Sequence, residues 1–172
     1  MKSVSLRWKK SAANTMHGNN PPGRKLAMFS QDFKEFIESL NANQVRYLVV
    51  GGYAVALHGH PRYTEDLDIW VDCNNQNAKA LVQALSQFGM GSLGLSEQDF
   101  LTPDQVVQLG YPPNKIDILV SISGVEFSEC FSKRVEVSLD GVIVNFIDLE
   151  HLKLNKRASG RMQDLADLEN LE

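Results

Sequence analysis

Three aspartates occur where their carboxylates could act together. Asp66 and Asp68 are separated by one residue within an alternation of apolar and acidic side chains, and Asp117 lies in a second such alternation. Side chains two residues apart on a strand project from one face, so the carboxylates of Asp66 and Asp68 converge. A divalent cation relieves the repulsion between crowded carboxylates, and oxygen ligands favour magnesium or manganese. The pattern predicts a Mg²⁺ site, with Mn²⁺ as the other candidate, in which Asp117 binds metal or takes a proton from an attacking hydroxyl.

A glycine pair precedes these aspartates. Gly51 and Gly52 follow an apolar run over residues 45–50, which predicts a buried strand, and they precede a short helix predicted over residues 53–58. Glycines at such a junction let the backbone approach a phosphate, and a helix start offers free N–H groups. A glycine pair or an Asp-x-Asp sequence alone is common in turns and on solvated strands. Their occurrence in this order, on predicted strands, favours phosphoryl chemistry.

The surrounding periodicities predict the elements that must position these residues. Apolar side chains at i, i+3, i+4 and i+7 indicate a helix over residues 31–41, and Asp140-Gly141 indicates a hairpin turn. Thr102-Pro103-Asp104 resembles a helix start. Strands interleaved with helices and one hairpin predict an α/β (α+β) domain with a mixed sheet. The other predicted elements are strands around Asp66–Asp72 and 116–120, a helix from Ala78 to Leu85, hairpin strands over 134–139 and 142–147, and two helices between Leu149 and Leu171 hinged at Ser159-Gly160.

Composition excludes several classes of protein. The 172 residues are 43% apolar and 22% charged, which matches a single globular domain and excludes a fibrous or wholly disordered chain. Two cysteines, Cys73 and Cys130, are too few for a disulfide framework or a four-thiolate zinc site. No apolar stretch is long enough to span a bilayer. We therefore expect a cytoplasmic protein with no membrane partner.

Charge is unevenly distributed along the chain. Residues 1–25 carry six basic side chains and no acidic one, so the rest of the chain holds 11 of the 17 basic residues and all 21 acidic ones. The segment also contains Trp8, and it could bind RNA or DNA through phosphate contacts and stacking. The simpler interpretation is a basic, flexible extension over residues 1–27 that precedes a folded domain over residues 28–172.

The order of these motifs resembles the nucleotidyltransferase superfamily typified by DNA polymerase beta. Its members carry an apolar residue followed by Gly-Gly or Gly-Ser, a short gap, Asp-x-Asp, and a later acid. Here 13 residues separate Gly51-Gly52 from Asp66-Leu67-Asp68, and Asp117 is the later acid. Residues 47–54 and 62–69 are also similar to small bacterial nucleotidyltransferases related to type IV abortive-infection toxins. The counterparts of the C-terminal motif in those proteins are Lys156, Arg161, Asp164 and Asp167.

The resemblance implies a mixed sheet flanked by helices, with further helices at the C-terminus. It also implies that Asp66 and Asp68 bind metal and that Asp117 binds metal or acts as the base. Several residues are implied in nucleotide binding: Gly51, Gly52, Thr64, Lys156 and Arg161. Thr64 is predicted either to contact the nucleotide or to orient the first aspartate, and the two C-terminal aspartates either to act directly or to neutralise nearby cations.

The implied reaction is magnesium-dependent transfer of a nucleoside monophosphate from an NTP to an acceptor hydroxyl, with release of pyrophosphate. The acceptor could be RNA, a protein side chain or a small molecule. An alternative is a non-catalytic member of the fold that binds a nucleotide or a protein, within a toxin–antitoxin pair that includes an antitoxin partner. A second alternative is an RNA-binding adaptor that depends on residues 1–25. Gly52 stands where many members have serine, although glycine is an accepted variant of the pattern.

Overall fold

The computed structural model describes residues 29–171, and the extension predicted over residues 1–27 lies outside this range. The described residues form one six-stranded mixed sheet, in the order β3-β4-β2-β1-β6-β5, with helices packed against it. The predicted α/β class is therefore confirmed. The strands are β1 (Tyr47–Val49), β2 (Asp66–Val71), β3 (Val106–Leu109), β4 (Lys115–Leu119), β5 (Val135–Leu139) and β6 (Val142–Phe146). The helices are α1 (Gln31–Ala42), α2 (Gly51–Leu57), α3 (Asn75–Leu85), α4 (Phe127–Ser132), α5 (Leu149–Ser159) and α6 (Met162–Leu171), with short helical turns at Ser86–Met90, Gly91–Leu93 and Glu97–Phe100.

The pairing around β4 decides which side chains meet. β2 and β4 are parallel, and their register places Asp68 opposite Asp117 and Asp66 opposite Lys115. β3 is antiparallel to β4 on its other side and places Gln108 opposite Asp117. Residues opposite each other on neighbouring strands project from the same face of a sheet. Polar side chains from three consecutive strands therefore share one face.

The core forms where the sequence pattern predicted it. The side chain of Ser30 accepts a hydrogen bond from the Phe33 N–H at 3.2 Å and caps α1 at its first turn. The apolar face of α1 is completely buried and consists of Phe33, Phe36, Ile37 and Leu40. Each such side chain contributes roughly 1.5–3 kcal/mol on burial, so this face anchors α1 against the sheet.

The C-terminal half of the chain confirms two predictions. The hairpin of β5 and β6 turns at Asp140 and Gly141, both of which have positive φ, as a tight two-residue turn requires. The two predicted C-terminal helices are α5 and α6, and Gly160, at φ +63°, ends α5. The left-handed conformation of this glycine breaks the helix, so α6 turns back to pack against α5.

Two boundaries differ from the sequence prediction. β1 is shorter than residues 45–50, and α2 begins at Gly51 rather than after the glycine pair. The predicted helix start at Thr102-Pro103-Asp104 is wrong, because these residues form a turn that leads into β3. Pairing with β4 stabilises β3, and a short run such as Val106–Leu109 carries too little periodicity to show this locally.

Helix α4 (Phe127–Ser132) was not predicted from the sequence. Its Phe127 packs edge-to-face against Trp70 of β2, with ring centroids 5.0 Å apart. Across residues 29–171, we find no helix with the length and apolar character needed to traverse a lipid bilayer.

Candidate functional site

Asp66, Asp68 and Asp117, which we call the carboxylate cluster, lie side by side on β2 and β4. The side chain of Asp117 is 13% exposed and that of Asp66 is 35% exposed. The sequence placed two of these carboxylates on one strand. The parallel pairing of β2 with β4 brings the third next to them, although it lies about fifty residues further along the chain.

A lysine that was not predicted as a site residue completes this arrangement. The ammonium nitrogen of Lys115 lies 2.8 Å from Asp66 Oδ2 and 3.0 Å from Asp117 Oδ2. Burial would lower the pKa of Lys115, but its hydrogen bonds with the two carboxylates outweigh burial and raise it. One signal could have identified it: Lys115 is two residues before Asp117 on a strand, and therefore lies on the same face.

Two carboxylate oxygens of the cluster have no partner among the described residues. Asp66 Oδ1 and Asp117 Oδ1 are buried and accept no hydrogen bond. Such an atom normally costs about 1–3 kcal/mol, and more when it belongs to a charged group, so a missing donor or cation is indicated. Within residues 29–171, no three acidic, histidine or cysteine side chains are already closed around a common point as ligands of one ion. The ammonium of Lys115 instead lies between two of the carboxylates.

The surroundings of Asp68 disfavour its ionised form. Burial, followed by the neighbouring charges of Asp117 and Asp66, raises the pKa of Asp68 from 3.8 to about 7, while Lys115 and Lys156 oppose the rise. Loss of hydration and nearby like charges both disfavour the ionised carboxyl. Shifts of this kind are typical of functional sites.

Gly51 makes the close approach of Asp68 possible. It has φ +62°, and a Cβ added there would lie 2.0 Å from Asp68 Oδ2. Gly52 leaves room in a similar way, because its added Cβ would lie 2.7 Å from the hydroxyl oxygen of Thr64. The glycine pair thus has a structural role within the chain itself. Its predicted contact with phosphate stays a prediction.

The hydroxyl of Thr64 donates a hydrogen bond to the main-chain carbonyl of Asp66 at 3.3 Å. This contact fits the orienting role that was one of the two predictions for Thr64. Direct contact of Thr64 with a nucleotide is untested.

A cleft of about 570 Å³ opens beside the carboxylate cluster. Five of the predicted site residues line it: Gly51, Asp68, Asp117, Lys156 and Arg161. The other three predicted residues, Gly52, Thr64 and Asp66, are not among the lining residues. The cleft therefore brings most of the predicted site together, with two aspartates and two cations among its lining residues.

Part of the cleft lining comes from segments that sequence reasoning missed. Gln108 of β3 extends the row of Asp68 and Asp117 across the sheet and lines the cleft. Beyond it, the hydroxyl of Ser121 donates to Asp104 Oδ1 at 2.7 Å. Since β3 was not predicted, no local signal identified this part of the lining.

The C-terminal helices contribute a second cluster of charges, the C-terminal charge network, which consists of Arg62, Lys156, Asp164 and Asp167. The ammonium of Lys156, whose side chain is 3% exposed, lies 2.6 Å from Asp164 Oδ1 and 2.8 Å from Asp167 Oδ2. The guanidinium of Arg62 donates to both oxygens of Asp167, at 2.9 and 3.3 Å. The network ties the loop that precedes β2 to α5 and α6.

Both aspartates of the network are stabilised as anions. Burial would raise the pKa of Asp164, but hydrogen bonds from Lys156 and Ser159 outweigh burial and lower it. For Asp167, hydrogen bonds from Lys156 and Arg62 have the same effect and lower its pKa. This geometry matches the neutralising role predicted as one alternative for the two aspartates.

Comparison with known families bears on this site directly. Residues 24–172 match the model of a family described as "nucleotidyltransferase of unknown function (DUF6036)". The chain belongs to this family. The match includes every residue of the carboxylate cluster and of the C-terminal charge network.

One solved structure supports the fold. A candidate nucleotidyltransferase from Thermotoga maritima is 17% identical, with a TM-score of 0.51 over 80% of this chain and 86% of its own. An antigenic nucleotidyltransferase-like protein from Paracoccidioides brasiliensis is 19% identical, with a TM-score of 0.47 over 79% of this chain and 71% of its own. A comparison with curated protein sequences gave no match. The narrower resemblance to type IV abortive-infection toxins stays a prediction.

Proposed function

We propose that this protein is a divalent-metal-dependent nucleotidyltransferase that moves a nucleoside monophosphate from an NTP to an acceptor hydroxyl. The observation that carries the proposal is the convergence of Asp66, Asp68 and Asp117 on two parallel strands, beside a cleft that Lys156 and Arg161 also line. Phosphoryl transfer needs both features, because negative charge develops on the transferred group and on the leaving pyrophosphate.

The residues present fit a divalent cation. All three candidate ligands offer oxygen, which Mg²⁺ and Mn²⁺ prefer, and two of their buried oxygens have no partner within residues 29–171. A Cβ at Gly51 would fill the space that the carboxylate of Asp68 occupies. When bound, the cation would neutralise charge on the phosphates and polarise them toward attack.

The chain's own side chains would perform the remaining tasks. Asp117, which pairs with Asp68 across the sheet, would hold metal or accept the proton of the attacking hydroxyl. Arg161 lies exposed at the cleft and can reach the phosphates of a bound NTP. Lys156 lines the cleft but is already held by two carboxylates, so its contribution is a fixed positive charge rather than a mobile contact.

The finer assignments rest on the sequence resemblance. The predicted acceptors are still RNA, a protein side chain and a small molecule. An antitoxin remains a predicted partner, and the cytoplasm remains the predicted location.

The test is a calorimetric titration of each NTP, with and without Mg²⁺, on the wild type and on the Asp66→Ala, Asp68→Ala double variant. We expect Mg²⁺-dependent binding in the wild type and its loss in the double variant. A matched control removes two exposed carboxylates elsewhere, Glu38→Ala with Glu169→Ala, and should bind as the wild type does. A wild type that binds no NTP at millimolar concentration would refute the proposal.

A further inference from the structure

Lys115 differs from the lysine of an ordinary surface ion pair, because it contacts two carboxylates and is mostly buried. Its ammonium bridges two carboxylates on different strands, Asp66 and Asp117, and its side chain is only 20% exposed. Lys115 also begins β4 in register with Asp66, so its backbone is fixed by the sheet. A cation that links two acidic side chains from neighbouring strands lies where a bridging metal ion would otherwise relieve their repulsion.

The charges of the cluster depend on this lysine. Carboxylates bind a metal in their ionised form, in which the three aspartates carry three negative charges, and the ammonium of Lys115 reduces this to a net charge of minus two. One divalent ion balances the remaining two negative charges. A second would add excess positive charge next to an ammonium, at a cost of several kcal/mol for charges about 4 Å apart at an effective dielectric near 20.

The hydrogen bonds of Lys115 also favour the binding of a single metal ion. Lys115 uses one oxygen of Asp66 and one of Asp117, and the other oxygen of each is buried without a partner among the described residues. Those two atoms, with the carboxylate of Asp68, are the donors left for a metal. Mg²⁺ commonly takes only one or two protein carboxylates and completes its shell with water and phosphate oxygens.

We propose that Lys115 acts as a permanent cation of the carboxylate cluster, in the position that a second divalent ion would otherwise fill, so that the cluster binds a single divalent ion. The inference rests on the proposed function, because it assumes that the cluster binds metal. Many phosphoryl-transfer sites use two metal ions, and here one of the two positive charges would belong to the chain itself. Lys115 is on this view a positioning residue that orients the carboxylates and sets the metal content.

The experiment is a titration of the protein with Mn²⁺ alone, followed by the loss of the electron paramagnetic resonance signal of free Mn²⁺. We expect one Mn²⁺ per chain in the wild type and two in the Lys115→Met variant, with the first ion bound about tenfold more tightly because a competing charge is gone. Lys115→Arg retains the charge and should bind one ion. Lys79→Met removes an exposed lysine from α3 and should match the wild type.

The outcomes separate the two proposals. One Mn²⁺ per chain in both the wild type and Lys115→Met would overturn the role of Lys115 and leave the nucleotidyltransferase proposal standing. Two ions in the wild type would do the same. Absence of Mn²⁺ binding from both proteins, with circular dichroism spectra showing both to be folded, would refute the metal site and therefore the proposed function.

Discussion

The carboxylate cluster and the C-terminal charge network are built from the same parts but are satisfied to different degrees. In each, one lysine bridges two aspartates, at 2.8 and 3.0 Å for Lys115 and at 2.6 and 2.8 Å for Lys156. The two clusters differ in the atoms that remain. Asp66 and Asp117 each retain a buried oxygen without a partner in the described part of the chain.

In the C-terminal charge network, the remaining oxygens all accept hydrogen bonds. Ser159 donates to Asp164, and Arg62 and Gln163 donate to Asp167. The pKa values agree with this difference between the clusters. The pKa values of Asp164 and Asp167 are lowered, whereas the pKa of Asp68 is raised to about 7. A fully paired cluster stabilises the fold, and one that still lacks positive charge is suited to binding a cation.

Replacement of the two bridging lysines should give the largest contrast. Lys156→Met leaves two buried carboxylates without their main partner and should reduce the free energy of unfolding by about 3–5 kcal/mol. Lys115→Met should cost about 1–2 kcal/mol, because Asp66 is one-third exposed and solvent can replace part of the lost contact. Urea denaturation measures the free energy of unfolding of both variants. Addition of 10 mM Mg²⁺ should restore the stability of the Lys115 variant only. Equal losses of stability in the two variants, or restoration of both by Mg²⁺, would contradict the contrast between the carboxylate cluster and the C-terminal charge network.

Gly51→Ala should disturb the carboxylate cluster from the backbone side. The new Cβ would meet the carboxylate of Asp68 in a left-handed backbone conformation, so we expect a loss of about 2–4 kcal/mol together with loss of Mg²⁺-dependent NTP binding. Gly94→Ala is the matched control, because Gly94 has φ +68° and open space around it. It should lose only about 1 kcal/mol to backbone strain and retain binding. Intact binding in Gly51→Ala would show that Asp68 can move without consequence.

Asp68→Asn should stabilise the metal-free protein in a pH-dependent way. The pKa of Asp68 is about 7 in the folded protein against 3.8 ordinarily, so the folded state binds more protons than the unfolded state between these values. The stability that the protonated carboxyl contributes at low pH is lost as the pH rises through 7. The variant should therefore exceed the wild type by about 2 kcal/mol at pH 8 and by less at pH 5. Urea denaturation in EDTA measures this, and a difference that does not change with pH would contradict it.

Asp164→Asn should have the smallest effect and the opposite pH dependence. The pKa of Asp164 is lowered from 3.8, so its ionised form stabilises the protein above that value and the contribution is lost as the pH falls. We expect the variant to be about 1 kcal/mol less stable than the wild type at pH 7, because the site is partly exposed, and this deficit to be smaller at pH 3. Denaturation curves at the two pH values measure the difference. Persistence of a full deficit at pH 3 would show that packing, not charge, dominates at this site.

Local signals were sufficient to predict α1, β2, the β5–β6 hairpin and the two C-terminal helices. Each has a strong periodicity or a turn sequence of its own, as the buried face of α1 and Asp140-Gly141 illustrate. β3 and α4 were missed because they are short, and their stability comes from β4 and from the contact of Phe127 with Trp70. Short elements of this kind depend on tertiary packing more than on propensity.

The sequence by itself determined that Asp66 and Asp68 share a face, since alternation along a strand requires it, and that glycines precede them. Only the tertiary structure decided that Asp117 and Lys115 join them, because the parallel register of β2 and β4 is set by packing across distant segments. The same holds for the pairing of Arg62 with Asp167, 105 residues apart in the chain. Whether a carboxylate is neutralised or left short of positive charge depends on these distant neighbours, since burial and the charge of a partner act through space and not along the sequence.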